Sequence, residues 1–190
     1  MVNDYSSVHV NDWVGDSPDD REDVPVSCLL KAHKTKHNIG EESSRIKLHR
    51  DDLWEHSFAL FKNPNFDLKA SPFVKFEDEF GIDAGGVSRE YFMLLMRALF
   101  ESTSMFEGKE GRKLLVYSAD AIDGNLFSIV GKMVSFAICH GEIGIPCLAP
   151  PMYEYLASGD LNKSSTLCGI DDIPDLYLVE IITRVQYVVC

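Results

Sequence analysis

Pro-Phe-Val-Lys-Phe-Glu-Asp-Glu-Phe-Gly-Ile-Asp-Ala-Gly-Gly-Val-Ser-Arg-Glu-Tyr-Phe-Met-Leu-Leu, residues 72–95, carries more information about the fold than any other stretch of this chain. The alternating apolar run from Phe73 to Phe76 has the period of a strand. A charged turn follows, and the paired glycines Gly85-Gly86 lead into Ser88-Arg89-Glu90, the opening of an amphipathic helix expected to run to about Phe100. Two roles suit the glycines. A Gly-Gly turn before a helix N-terminus can bind an anion through free backbone N–H groups. Alternatively, the glycines supply positive φ angles while Asp83 or Ser88 caps the helix, with Arg89 paired to Glu77, Asp78 or Glu79. The structural role is favoured, because a bound anion would compete with those carboxylates.

Outward from this block the helical and strand periods alternate. On the N-terminal side, Asp51 or Asp52 is placed to cap a helix that carries Trp54, Phe58 and Phe61 on one face and stops at Asn63-Pro64. On the other side lie a polar loop, residues 101–111, and a short strand-like piece from Lys113 to Tyr117. Asp123-Gly124-Asn125 then precedes the strongest helical period in the chain: Leu126, Ile129, Val130, Met133, Val134, Ala137 and Ile138. Gly141, Gly144 and Pro146 end that helix. Pro150-Pro151 starts a further short helix that stops at Gly159, and Pro174 is expected in the first turn of a last one bearing Leu176, Val179, Ile182 and Val185. These elements predict an α+β fold that is mainly α-helical with a few short strands. The apolar end Val188-Val189-Cys190 leads to the expectation that the chain stops in mid-domain.

At 190 residues, with 45% hydrophobic and 25% charged content, the chain suits one sizeable soluble domain. Residues 1–45 are expected to form a disordered arm, acidic and then basic. Residues 1–25 hold seven acidic side chains against Arg21 alone, and are expected to be disordered. Residues 31–50 reverse the sign with Lys31, Lys34, Lys36, Arg45, Lys47 and Arg50. The folded part is expected from residue 46 to 190. A net charge of −12 argues against nucleic acid or an anionic membrane as the main partner. No apolar run is long enough to span a bilayer, and the acidic N-terminus is no secretory signal.

The five cysteines, Cys28, Cys139, Cys147, Cys168 and Cys190, are scattered and show no CxxC spacing, which fits free thiols in cytoplasm or nucleus. Cys28, His33 and His37 have zinc-like spacing, but only three ligands are visible and the flanks are rich in lysine. Cys139 and His140 are adjacent and point in different directions on a helix, so the pair is ill placed for proton transfer. Cys168 has no nearby base. No phosphate loop and no nucleophile elbow is present. No residue is therefore put forward as catalytic, cofactor-binding or metal-ligating, and no cofactor is expected.

The block Val-Lys-Phe-x4-Gly-Ile-Asp-Ala-Gly-Gly-Val-Ser-Arg-Glu-Tyr-Phe, residues 74–92, resembles the hallmark segment near the start of the HECT domain of ubiquitin ligases. Phe127 with Gly131-Lys132, then Leu148-Ala149-Pro150-Pro151-Met152-Tyr153, is similar to a later segment of that family. Ile170-Asp171-Asp172-Ile173-Pro174-Asp175-Leu176 is similar to a third, and the lead-in from Arg45 to Trp54 resembles the family's start. Together they cover roughly residues 46–187. The resemblance implies the first part of a HECT N-terminal lobe, with the catalytic C-terminal lobe and its thioester cysteine lacking, so that the chain would be inactive alone. It also implies partners in the ubiquitin system, with the conjugating-enzyme site lacking; the charge and hydropathy above leave no nucleic acid and no membrane expected as partners. A non-catalytic interaction or decoy module is the rival expectation.

Overall fold

The computed structural model describes residues 25–77, 79 and 85–189. The chain divides into two units, Met1–Asn38 and Ile39–Cys190. In the first, helix α1 (Val26–His37) lies within the segment 1–45 expected from sequence to be a disordered arm. Lys34, Lys36 and His37 occupy its last turn, where the helix dipole favours cations. Asn38 ends it at φ 55°, its N–H turned back to the carbonyls of Lys34 and Thr35. The acidic residues 1–24 lie outside the described residues.

The second unit is α+β and mainly helical. Strand β1 (Ser43–Leu48) pairs in parallel with β2 (Ser71–Phe76), placing Ile46 opposite Val74 and Leu48 opposite Phe76. These four side chains are buried, and Arg45, Lys47, Phe73 and Lys75 take the other face, as the two-residue period requires. Strand β1 begins three residues earlier than the expected start of the folded part. Parallel pairing needs a crossover, and helix α2 (Leu53–Lys62) supplies it.

Helix α2 turns differently from the expectation. Leu53, Ser57 and Phe61 face inward, while Trp54 and Phe58 are only partly covered and stack on each other at 6.1 Å. Asp52 holds the N-cap position, yet its carboxylate caps nothing; its carbonyl oxygen accepts the His56 N–H at 3.0 Å.

Helix α3 (Gly86–Arg97) follows β2 and continues as a π-helical turn, Ala98–Ser102. Segment 101–111, expected to be a loop, also contains strand β3 (Phe106–Glu107), antiparallel to β4 (Leu114–Leu115). A short helix α4 (Ala119–Asp123), capped by the Ser118 hydroxyl, precedes α5 (Leu126–Gly141). The remaining elements are α6 (Pro150–Ser158), α7 (Leu161–Thr166), a 3-10 turn at Ile170–Asp172, and α8 (Leu176–Val189). Gly159 ends α6 as expected; α7, capped by the Asp160 carboxylate, was not foreseen. Pro174 lies before α8 rather than in its first turn, and Asp175 accepts the N–H groups of Tyr177 and Leu178.

The core forms where α2, α3 and α5 meet. Phe136 of α5, absent from the predicted apolar face, sits at its centre. Its ring lies 5.3 Å from Phe61, 5.5 Å from Phe66 and 5.7 Å from Phe92. Edge-to-face and tilted pairs of this kind add about 0.5–1.5 kcal/mol each to the area they bury.

Candidate functional site: the Gly-Gly turn and its ion pairs

Gly85 stands at the N-cap of α3 with φ 96°, a left-handed conformation that a side chain would strain. Gly86 has helical backbone, and a methyl group built on it meets no neighbour within 4 Å. Only the first glycine is therefore explained by conformation. Among the described residues no side chain caps α3. Ser88 donates to the Pro72 carbonyl at 3.3 Å, tying the helix start to β2. The proposed cap Asp83 and the possible partner Asp78 lie outside the described residues.

Among the described residues, the arginine that holds the acidic turn is Arg50. Arg50 follows β1 by two residues, so the strand ladder brings it beside the end of β2. Its Nε and second terminal nitrogen reach the two Glu79 oxygens at 2.7 and 3.0 Å, and its other terminal nitrogen reaches Glu90 at 2.8 Å. The guanidinium also lies 4.2 Å from the centre of the Phe76 ring. The hydrogen bond from Arg50 holds the Glu79 carboxyl below its usual range, and the bonds to Glu79 and then Glu90 raise Arg50 further. Beside it, His49 reaches Glu77 at 2.9 Å. One arginine thus bridges the acidic turn and Glu90 in the second turn of α3. The network is exposed, so its contribution is to direction and register rather than to stability.

Behind the turn, α5 approaches closely. A methyl group on Gly141 would lie 2.5 Å from Phe92 Cδ2, so this glycine is a packing requirement as well as a helix end. His140 donates from Nε2 to the Leu68 carbonyl at 3.0 Å and stacks on Phe136 at 4.4 Å. It is a tether within the fold. A cleft of about 290 Å³ remains between Phe73, Ser88, Arg89 and Glu142.

A second ion-pair group fastens the later segment. Arg112 holds Asp172 through Nε at 2.8 Å and a terminal nitrogen at 2.7 Å, while the other Asp172 oxygen accepts the Gly169 N–H at 2.8 Å. The bond from Arg112 keeps the largely buried Asp172 carboxyl below its ordinary pKa. Lys109 reaches Asp171 at 3.2 Å. Lys113 exchanges backbone bonds with Cys147 and Ala149, at 2.7 and 2.9 Å, so the start of α6 is bound to the β4 region. This role of Arg112 was missed, since nothing local marks a partner sixty residues away.

Among the described residues, the cysteines and histidines weighed from sequence do not gather into a metal-binding group of three. His33 and His37 stack at 4.6 Å on α1, and burial, with His37 and Lys36 nearby, lowers the His33 pKa. Cys28 is exposed and does not complete a three-residue metal-binding group with them. Burial pushes the Cys147 thiol up, away from thiolate character. Cys168 is exposed on the turn after α7, and Cys190 lies outside the described residues. Among the described residues no helix is long and apolar enough to cross a membrane.

No family model matches the chain. Individual proteins do. The human G2/M phase-specific E3 ubiquitin-protein ligase is 28% identical over 151 residues, which is 78% of this chain and 21% of that protein. The E3 ubiquitin-protein ligase pub1 of Schizosaccharomyces pombe is 33% identical over 139 residues, 70% of this chain and 18% of the ligase. The E3 ubiquitin-protein ligase Smurf1 of Drosophila melanogaster is 30% identical over 141 residues, 70% of this chain and 13% of that protein. The class to which the chain is related is thus that of the E3 ubiquitin ligases. More narrowly, it is homologous to a segment of the HECT-type E3 ubiquitin ligases. It spans about a fifth or less of the length of these relatives, 13% to 21%.

Proposed function

We propose that residues 46–190 serve protein ubiquitination as a scaffold portion of a HECT-type ligase N-terminal lobe, and that they form no ubiquitin thioester by themselves. The observation that carries this is the homology to E3 ubiquitin ligases over 70% to 78% of the chain. The local chemistry agrees. A ubiquitin-accepting cysteine needs an accessible, low-pKa thiol. Cys147 is shifted the other way, and Cys139 is half covered on the core helix α5. The Gly-Gly turn, Arg50 and the Arg112–Asp172 pair all join elements to one another, which is what a scaffold requires. Its partners are proteins of the ubiquitin system, and the scattered cysteines suit the cytoplasm or nucleus.

The test incubates the chain with activating enzyme, a set of conjugating enzymes and ubiquitin. The expected result is no reductant-sensitive ubiquitin adduct. An adduct abolished by changing any single cysteine to alanine would overturn the proposal. Transplanting residues 46–187 in place of the matched segment of pub1 tests the positive side: the chimera should still form its thioester. A well-folded chimera that cannot do so would count equally against a scaffold role.

A further inference from the structure

We propose that the outer edge of β1 binds a short extended segment of a partner protein, apolar and acidic at alternate positions, by adding it as a third strand. The hydrogen-bond pattern shows which groups are available. Leu48 and Glu42 give their carbonyls to Glu77 and Ser71 on the β2 side, at 2.9 and 2.7 Å. Backbone groups alternate sides along a strand, so Ser43, Arg45 and Lys47 direct their N–H and C=O groups away from β2. No described residue bonds to those groups, and the sheet among described residues holds β1 and β2 alone. This is an unpaired edge of the kind that recruits a strand.

Space beside the edge is already formed. A notch of about 260 Å³ is lined by the consecutive residues 45–48 and by His56 and Leu60 of α2. Four consecutive residues, with none from β2, place the notch along the strand's rim rather than over one face of the sheet. On the face of Ile46 and Leu48, an added strand would lay apolar side chains toward α2. On the opposite face, Arg45 and Lys47 are exposed two residues apart, with no ion-pair partner among the described residues. Carboxylates at alternate positions of the incoming strand would meet them. Glu41 and Glu42 at one end, and Asp51 and Asp52 at the other, confine the favourable charge to the middle of the edge. The occupant is therefore short, with its acidic residues central. The proposal is independent of the ligase reading, since it rests on the strand edge alone.

The probe is a fluorescein-labelled peptide of alternating valine and glutamate, six residues long, added to the full chain. Fluorescence anisotropy measures binding, and backbone amide chemical shifts locate it. Saturable binding with the largest shifts at Ser43, Arg45 and Lys47 is expected. Arg45→Glu and Lys47→Glu should each weaken it by about tenfold, as loss and reversal of a complementary charge does. Both side chains are exposed, so the variants should keep the parent's circular dichroism. A peptide N-methylated at alternate bonds, used with the unaltered chain, should fail to bind because it cannot complete the ladder. Equal binding of a valine–lysine peptide or of the methylated peptide would overturn the proposal, as would shifts centred elsewhere. No binding at all would overturn it too, leaving Arg45 and Lys47 as guards against edge pairing. Concentration-dependent dimerisation through residues 43–47 that excludes the peptide would assign the edge to a second copy instead.

Discussion

The buried hydroxyl pair Ser57–Tyr91 joins α2 to the hallmark helix α3, and its energetics follow from its burial. Ser57 is 1% exposed and Tyr91 0%, with their oxygens 3.0 Å apart. Tyr91→Phe removes the bond and strands the serine hydroxyl; Ser57→Ala strands the phenol. Each should cost about 1–3 kcal/mol, the desolvation penalty of one unsatisfied polar group. The double variant strands neither, so its cost should fall well below the sum, with a coupling of about 1–2 kcal/mol. Burial also pushes the Tyr91 phenol up to about 12 from an ordinary 10.0, against the smaller opposing effect of the Ser57 bond. A buried tyrosine that resists ionisation makes the unfolded chain release its proton first. Below pH 10 both states are neutral and the contribution is fully present; between about pH 10 and 12 the unfolded state is favoured and stability is lost. A rise of that size corresponds to about 3 kcal/mol. Urea unfolding followed by tryptophan fluorescence, at steps from pH 8 to 11.5, should show the unaltered chain losing more stability than Tyr91→Phe. Contributions common to the two proteins cancel in the difference. Parallel losses in the two proteins, or a double variant that costs the full sum, would refute the reasoning.

Three further outcomes follow from the same contacts. Gly141→Ala should destabilise by about 1–3 kcal/mol despite alanine's better helix propensity, because the new methyl meets Phe92 at 2.5 Å; a raised melting temperature would contradict the packing. Phe136→Ala should cost about 3–5 kcal/mol in chemical denaturation, more than any truncation at the half-exposed Trp54, since it empties the ring cluster of Phe61, Phe66 and Phe92. Asp172 has its folded pKa below the ordinary 3.8, so its pairing is present above that pH and lost as pH falls through the lower folded value. Asp172→Asn should accordingly speed amide exchange across residues 169–173 at neutral pH and remove their acid sensitivity, as hydrogen-exchange mass spectrometry would report.

What the sequence made legible was the local part of the fold. The alternation in Phe73–Phe76, the period in α5 and the Pro-Pro start and Gly159 stop of α6 all lie within one element, and their residues declare it. The misses have physical reasons. Arg45-Ile46-Lys47-Leu48 alternates as well as β2 does, but its basic charges masked the period, so no strand was expected there although the folded part was placed from residue 46. Phe136 falls outside the stripe drawn through Ile129, Met133 and Ala137, yet α5 is packed from two sides, by α2 and α3, so its buried arc is wider than one stripe. Among the described residues Arg50 holds the acidic turn because the parallel ladder carries residue 50 to the end of β2, a relation visible only after the register is known.

The same distinction accounts for why the Gly-Gly block identifies a family without displaying a reaction. Its residues are constrained by close approach and by bonds to neighbouring elements: Gly85 by its φ of 96°, Ser88 by the Pro72 carbonyl, Glu90 by Arg50, Tyr91 by Ser57, and Phe92 by Gly141. Five separate constraints converge on eight consecutive residues, so few substitutions are tolerated there even though no group among them is poised as nucleophile or base. A dense pattern in sequence is therefore what a junction of elements leaves behind, and it is as specific a mark as a catalytic motif. If that is correct, Arg50→Ala should loosen the turn at residue 79, as faster proteolysis there would show, while leaving the Phe136 core and its cooperative unfolding intact. Loss of the core along with the turn would mean that the network supports the fold itself rather than directing one loop across it.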